Sequence, residues 1–99
     1  MQTCVILSTP ETPRLPLVLS MAKKEKKMNV ILLSDAVFLL DDASNENFFK
    51  TLEDCDVTII ATRDDLEKRK LLSKDNLMVV DYESLVNILL SEPTRTVNI

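Results

Sequence analysis

Four consecutive apolar residues, Val30 to Leu33, constrain the fold of this chain more than any other feature. The run is too short for a helix and too continuous for a strand with one wet face, so it predicts a strand buried on both faces of a parallel sheet. Ser34 and Asp35 interrupt the run, and residues 36–40 then resume with helix-compatible side chains. Strand, polar turn and helix form the repeating unit of an open α/β sheet, whose ligands bind at that turn.

The remainder of the chain repeats this unit. Strands are predicted over residues 3–7, 29–33, 56–61, 77–80 and, as an edge strand, 95–99. Helices are predicted over residues 15–26 and 82–91, from Thr62 to about Leu72, and along a stretch that Ser44 begins as a cap. This alternation predicts a three-layer, doubly wound α/β fold with a mostly parallel sheet of about five strands, in a single domain over residues 1–99.

Charge and composition exclude several classes of function. The 16 acidic residues outnumber the 12 basic ones, which gives direct nucleic-acid binding no electrostatic support. The basic run of residues 23–27 falls where a helix should end, so we interpret it as a solvated helix end, with a docking patch as the alternative. The sequence has neither a long apolar stretch nor a signal peptide, which predicts a cytoplasmic chain that does not enter membranes and has reduced cysteines.

Two missing residue types narrow the chemistry further. Without histidine, the chain lacks the commonest general base and the usual ligand of catalytic zinc. Without glycine, it cannot contain a Walker loop or a dinucleotide-binding fingerprint. We therefore expect no cofactor, no metal ion and no catalytic residue of the common types.

Polar side chains follow each of the first four predicted strands. Because parallel strands end at one edge of the sheet, these side chains are expected to converge there as a candidate site for a ligand or a partner. Most of them are equally suited to capping helices, but an arginine and a tyrosine are not usual caps. The candidate residues are Ser8, Thr9, Ser34, Asp35, Thr62, Arg63, Asp81 and Tyr82.

The two cysteines differ in their surroundings. Cys4 lies within an apolar strand, where burial blocks access to the sulfur. Cys55 precedes the third strand and has acidic neighbours on both sides, which disfavour a thiolate. Neither has the electropositive surroundings of a sulfur nucleophile, although Cys55 remains the alternative reactive thiol.

Apolar side chains are abundant between the second and third strands. Two adjacent phenylalanines on one helix project about 100° apart and cannot both point straight at the core. One ring should therefore lie near the surface, unless a wide apolar stripe buries both. On this basis we predict a homodimer or a higher oligomer, with an interface formed by Val37, Leu40, Phe48 and Phe49.

Four segments of the chain resemble the DsrE/DsrH family of small intracellular sulfur-relay proteins, which includes the Tus proteins of tRNA thiolation. Cys4–Ser8 (CVILS) is similar to the opening strand of that family, and Leu32–Val37 (LLSDAV) to its second strand and turn. Asp64–Leu71 (DDLEKRKL) is similar to an Asp-Leu-x-x-Arg-Gly stretch, which places Arg69 on the arginine and Lys70 on the glycine. Asp81–Val86 (DYESLV) resembles a segment of the DsrH, or TusB-like, branch.

The resemblance implies a function as well as a fold. In the DsrE branch, a cysteine just after the third strand carries a persulfide, whereas this chain has Ala61 and Thr62 there. The resemblance therefore implies a non-catalytic DsrH-like subunit that supports sulfur transfer, in tRNA thiolation or sulfur oxidation, through protein–protein interaction. Its expected partners are copies of itself and DsrE/DsrF-like or other sulfur-carrier proteins. The alternatives are a thiol sulfurtransferase that uses Cys55 and a small-ligand-binding α/β module.

Overall fold

The structure is a computed structural model that describes residues 1–71 and 76–99. Its five strands form one parallel sheet in the order β4-β3-β2-β1-β5. The predicted α/β class and the edge position of the last strand are confirmed. The strands are β1 (Gln2–Leu7), β2 (Met28–Leu32), β3 (Thr58–Thr62), β4 (Leu77–Val80) and β5 (Thr94–Asn98), and the helices are α1 (Leu15–Lys24), α2 (Glu46–Asp54), α3 (Arg63–Lys68) and α4 (Tyr82–Leu90).

The sheet separates two apolar clusters, one on each face. The larger cluster joins alternate residues of the central strands to the buried sides of α1, α2 and α3. The smaller one joins Cys4, Ile31 and Ile60 to Leu85 of α4. All five residues of β2 are buried, as its continuous apolar sequence predicts, because the sheet is covered from both sides at its centre.

The connection after β2 differs from the prediction. Residues 34–41 form a 3₁₀ helix rather than an α-helix, and a second short 3₁₀ turn over Ala43–Asn45 leads into α2. Ser44 does not cap this stretch with its side chain. Instead the extended Asp42 accepts hydrogen bonds from the amide and the hydroxyl of Ser44, because a carboxylate two residues back reaches the turn more easily.

Two helices end in a left-handed residue that is not glycine. After α3, Lys70 has φ 55°, and the amide of Leu71 donates back to the carbonyl of Leu66. After α2, Asp56 has φ 60°, and the amide of Val57 likewise donates back to the carbonyl of Leu52. Both ends are Schellman motifs. Thus α3 stops at Lys68, before the predicted end near Leu72, which lies outside the described residues.

Helix α1 also ends earlier than its sequence pattern suggests. It stops at Lys24 rather than at residue 26, with Lys23 and Lys24 in its last turn, where cations complement the helix dipole. Within residues 1–71 and 76–99, every helix is too short to cross a bilayer.

Candidate functional site

The carboxyl ends of the strands lie along one edge, and polar side chains cluster at the ends of β2 and β3. Asp65, in the first turn of α3, lies at the centre of this cluster. Its Oδ2 accepts hydrogen bonds from the Ser34 amide at 3.0 Å and from the Thr62 hydroxyl at 2.9 Å. Thr62 Oγ1 in turn accepts from the amide of Asp65 at 3.3 Å, which is the predicted cap of α3. The bonds between Thr62 and Asp65 fix the start of α3, and the bond from the Ser34 amide holds it against the end of β2.

Arg69 closes the cluster from the far end of α3. Its Nε donates to Asp35 Oδ1 at 2.9 Å, and its Nη1 donates to the carbonyl and the carboxylate of Asp65 at 3.2 and 3.4 Å. The guanidinium carbon lies 6.0 Å from the centre of the Phe38 ring, within the range of a cation–π contact. We call Ser34, Asp35, Thr62, Asp65 and Arg69 the strand-end cluster.

The other predicted site residues lie outside the strand-end cluster. Asp81 caps α4 by accepting from the Ser84 amide at 2.7 Å. Bonds from Ser84 hold the pKa of Asp81 below its ordinary value, with a smaller effect from the charge of Arg63. Tyr82 is 72% exposed. The exposed Ser8 and Thr9 follow β1, where Thr9 borders a recess of about 160 Å³.

Of the eight predicted residues, the structure therefore joins Ser34, Asp35 and Thr62 directly. Arg63 and Tyr82 line neither the recess beside Thr9 nor a larger groove, of about 730 Å³, that runs beside α2.

Neither cysteine belongs to the strand-end cluster. Cys4 is fully buried on the α4 face of the sheet, where Asn29 Nδ2 lies 3.6 Å from its sulfur. Cys55 is half-buried and follows α2, near the amino ends of the strands. The cluster thus offers hydroxyl, carboxylate and guanidinium groups that bind one another, and it has no thiol to act as a nucleophile.

The predicted interface side chains are largely part of the core. Val37 and Phe48 are buried, Leu40 is 9% exposed, and Phe49 is half-buried. The two phenylalanine rings meet edge to face with centroids 5.0 Å apart, so the apolar side of α2 is wide enough to hold much of both. Phe49 is therefore the member of this set best placed to contact another chain.

Arg69 and Asp65 were not among the predicted site residues. Asp65 lies within α3 and Arg69 just after it, so neither is at a strand end. Only the fold of α3 brings Arg69 to Asp35. The spacing of four residues between Asp65 and Arg69 is the sequence signal for an ion pair on one helical turn.

The sequence matches the family described as DsrH like protein over residues 8–94, which is most of the chain. The chain belongs to the DsrH-like family. Among solved structures, it resembles a conserved protein of unknown function from Bacteroides thetaiotaomicron, with a TM-score of 0.76 and 16% identity. That match covers 98% of this chain and 94% of the other, and at this identity it shows the fold. No curated protein matches the sequence significantly.

Proposed function

We propose that this DsrH-like chain is a non-catalytic subunit that supports sulfur transfer by binding other relay proteins. The observation that carries the proposal lies at the end of β3. The carrier branch of the family has its persulfide cysteine just after this strand, and here Ala61 is buried and Thr62 is engaged as the cap of α3. A chain that lacks the carrier thiol at this position contributes through contacts rather than through a covalent sulfur intermediate.

The positions of the two thiols support the same proposal. Cys4 has no exposed surface, so a persulfide donor cannot approach its sulfur without unfolding the α4 face. Cys55 is accessible in part, but it follows α2 near the amino ends of the strands, away from the strand-end cluster. We propose DsrE/DsrF-like or other sulfur-carrier proteins as partners, in tRNA thiolation or in sulfur oxidation, within the cytoplasm.

A transfer assay tests this proposal directly. A DsrE-like carrier loaded with persulfide is mixed with the full chain or with its Cys55→Ser variant, and persulfide labelling and complex formation are followed separately. We expect both chains to bind the carrier equally and to acquire no label. Label on Cys55, lost in the serine variant, would instead establish a thiol sulfurtransferase, and absence of any complex would contradict the binding role.

A further inference from the structure

The sheet ends on one side in an open edge strand, β5. Among residues 1–71 and 76–99, β5 pairs with β1 and with no other strand. The carbonyl of Pro93 and the amide of Ile99, at the two ends of β5, bond to β1. Because backbone groups alternate between the two sides of a strand, the amides and carbonyls of Thr94, Thr96 and Asn98 point away from the sheet.

These outward groups form a regular ladder beside which the structure places no further strand of residues 1–71 and 76–99. They recur at every second residue, which places them about 6.6 Å apart along β5. Natural edges are commonly blocked by a proline, a bulge or a charge. In contrast, β5 contains no proline, and its one charged side chain, Arg95, pairs with Glu25. Another extended segment presents amides and carbonyls at the same spacing, so this edge is suited to the addition of a strand.

Helix α4 presents apolar side chains beside this edge. Leu85 is buried in one cluster with residues of β1, β2 and β3, so it points at the sheet. Because α4 returns from β4 to β5 by a right-handed crossover, the side of the helix about 100° after Leu85 faces β5. Val86 and Leu89 lie half-buried on this side, and Leu90 beyond them is 77% exposed. The flank of α4 next to β5 is therefore an incompletely covered apolar surface.

The strip between this flank and the open edge is lined by uncharged residues. Cys4 belongs to the α4 cluster, so its register partner Thr96 also faces α4, as do Thr94 and Asn98 on either side. A charged side chain placed against this strip would lose its hydration without gaining an ionic partner. In charge, the strip is therefore complementary to an uncharged segment. We call the lining residues the edge site: Val86, Leu89, Leu90, Thr94, Thr96 and Asn98.

We propose that the edge site binds an extended segment of another protein, which adds to β5 as a sixth strand with uncharged, apolar side chains towards α4. Main-chain bonds to β5 hold the segment, and the alternation of its side chains sets the specificity.

A second copy of this chain is a poor match for the edge site. Its β5 has Val97 as the single apolar side chain, so it offers α4 no apolar face. Its β4 is apolar, but pairing of β4 with β5 would extend the sheet head to tail from copy to copy into an open filament. The occupant is therefore a separate protein.

Nuclear magnetic resonance on the isotope-labelled full chain tests the site with a defined probe. The probe is a peptide of alternating valine and threonine with a lysine at each end for solubility. The matched control peptide has aspartate in place of each valine. We expect the valine peptide to shift the amide signals of Thr94, Thr96 and Asn98 and to slow their hydrogen exchange. The aspartate peptide should bind roughly tenfold more weakly.

Two variants of the chain separate backbone pairing from side-chain contact. Thr96→Pro removes an outward amide that forms no bond to β1, so β5 is kept while the ladder is interrupted. Leu90→Asp places a charge on the exposed flank of α4. Each variant should weaken binding of the valine peptide roughly tenfold.

The controls for these variants are Thr96→Ala, which keeps the amide, and Leu17→Asp, which places the same charge on a side chain of α1 that is 54% exposed. Both should bind the peptide as the unchanged chain does. Circular dichroism checks that each variant keeps its fold, and Leu90→Asp decides alone if the proline variant does not.

Three results overturn the proposal. They are the absence of shifts at millimolar peptide, shifts centred on the other edge strand β4, and binding that neither variant weakens. Protection of the Thr94, Thr96 and Asn98 amides that rises with the concentration of the free chain would also overturn it, because a second copy would then cover the edge.

The edge site deepens the proposed function and rests on it only in treating the chain as a binding subunit. The two can fail separately, because the peptide test contains no carrier protein. A chain that binds a persulfide-loaded carrier but not the valine peptide retains the proposed function and loses the edge site.

Discussion

In the strand-end cluster, Arg69 lies between the carboxylates of Asp35 and Asp65. The acidic groove beside α2, in contrast, is lined by four carboxylates and a single ammonium group, those of Asp41, Asp42, Glu46, Glu53 and Lys50. In the first region every charged side chain is paired within the chain, and Arg69 and Asp65 are partly buried, each 19% exposed. The second region is exposed, and within the described residues it has no internal ion pairs. Charges that are paired within the chain stabilise the fold, and charges left unpaired are available to a partner.

The largest effect on stability is expected from Arg69→Met. Removing the guanidinium leaves the partly buried Asp65 and the end of β2 without their shared partner, and we expect a loss of about 2 kcal/mol in the free energy of unfolding. The measurement is urea denaturation followed by circular dichroism.

The control for this variant is Lys68→Met, which removes the same charge one residue earlier. The Lys68–Asp64 pair is 68% and 71% exposed, so its loss should cost less than about 0.5 kcal/mol. If the two variants lose the same free energy of unfolding, the ion pairs of the strand-end cluster are worth no more than an ordinary surface pair.

A smaller loss is expected from Thr62→Ala. The variant removes the cap of α3 and one hydrogen bond to Asp65, which should cost about 1 kcal/mol. Thr62→Ser keeps the hydroxyl and should recover most of the stability. A serine variant as unstable as the alanine variant would show that packing of the threonine methyl group, rather than the cap, is what matters.

Lys70 is a case in which sequence and structure explain each other. The family resemblance places a glycine at this position, and the structure gives Lys70 a φ of 55°, the left-handed region that glycine enters without cost. Lys70→Gly should therefore raise the free energy of unfolding by about 0.5–1 kcal/mol. Lys70→Ala keeps the unfavourable backbone angle and should not do so. If both variants are equally stable, backbone strain does not limit the end of α3.

The fold could be predicted because continuous apolar runs leave little choice of class. Val30–Leu32 must be covered on both faces, and a parallel sheet is the arrangement that does so. The connection after β2 could not be predicted in the same way, because a segment of eight residues with five apolar side chains is compatible with either an α-helix or a 3₁₀ helix.

The two charged regions were harder to recognise from sequence than the fold. Three members of the strand-end cluster lie at strand ends and were predicted, but Arg69 reaches Asp35 only because α3 packs against the 3₁₀ segment that follows β2. The acidic groove joins residues 40–53 to Asn76 and Leu77, and local patterning carries no sign of that contact.

The smallest expected effect compares a carboxylate on the rim of the groove with one outside both regions as pH changes. Asp81, the cap of α4, and Asp42, on the rim of the groove, each have a lowered pKa, through bonds from Ser84 and from Ser44 respectively. Because the pKa is lower in the folded state, each carboxylate stabilises the fold above its unfolded pKa of about 4, and this contribution is lost as pH falls through the folded value. In thermal unfolding, Asp81→Ala and Asp42→Ala should both lower the melting temperature at pH 7 and do so less at pH 3.

If the groove remains negative in the folded chain, Asp42→Ala should lose part of its effect at low salt, since removing a charge there also relieves repulsion from Asp41 and Glu46. A penalty for Asp42→Ala that does not depend on salt would show that repulsion in the groove does not affect the isolated chain.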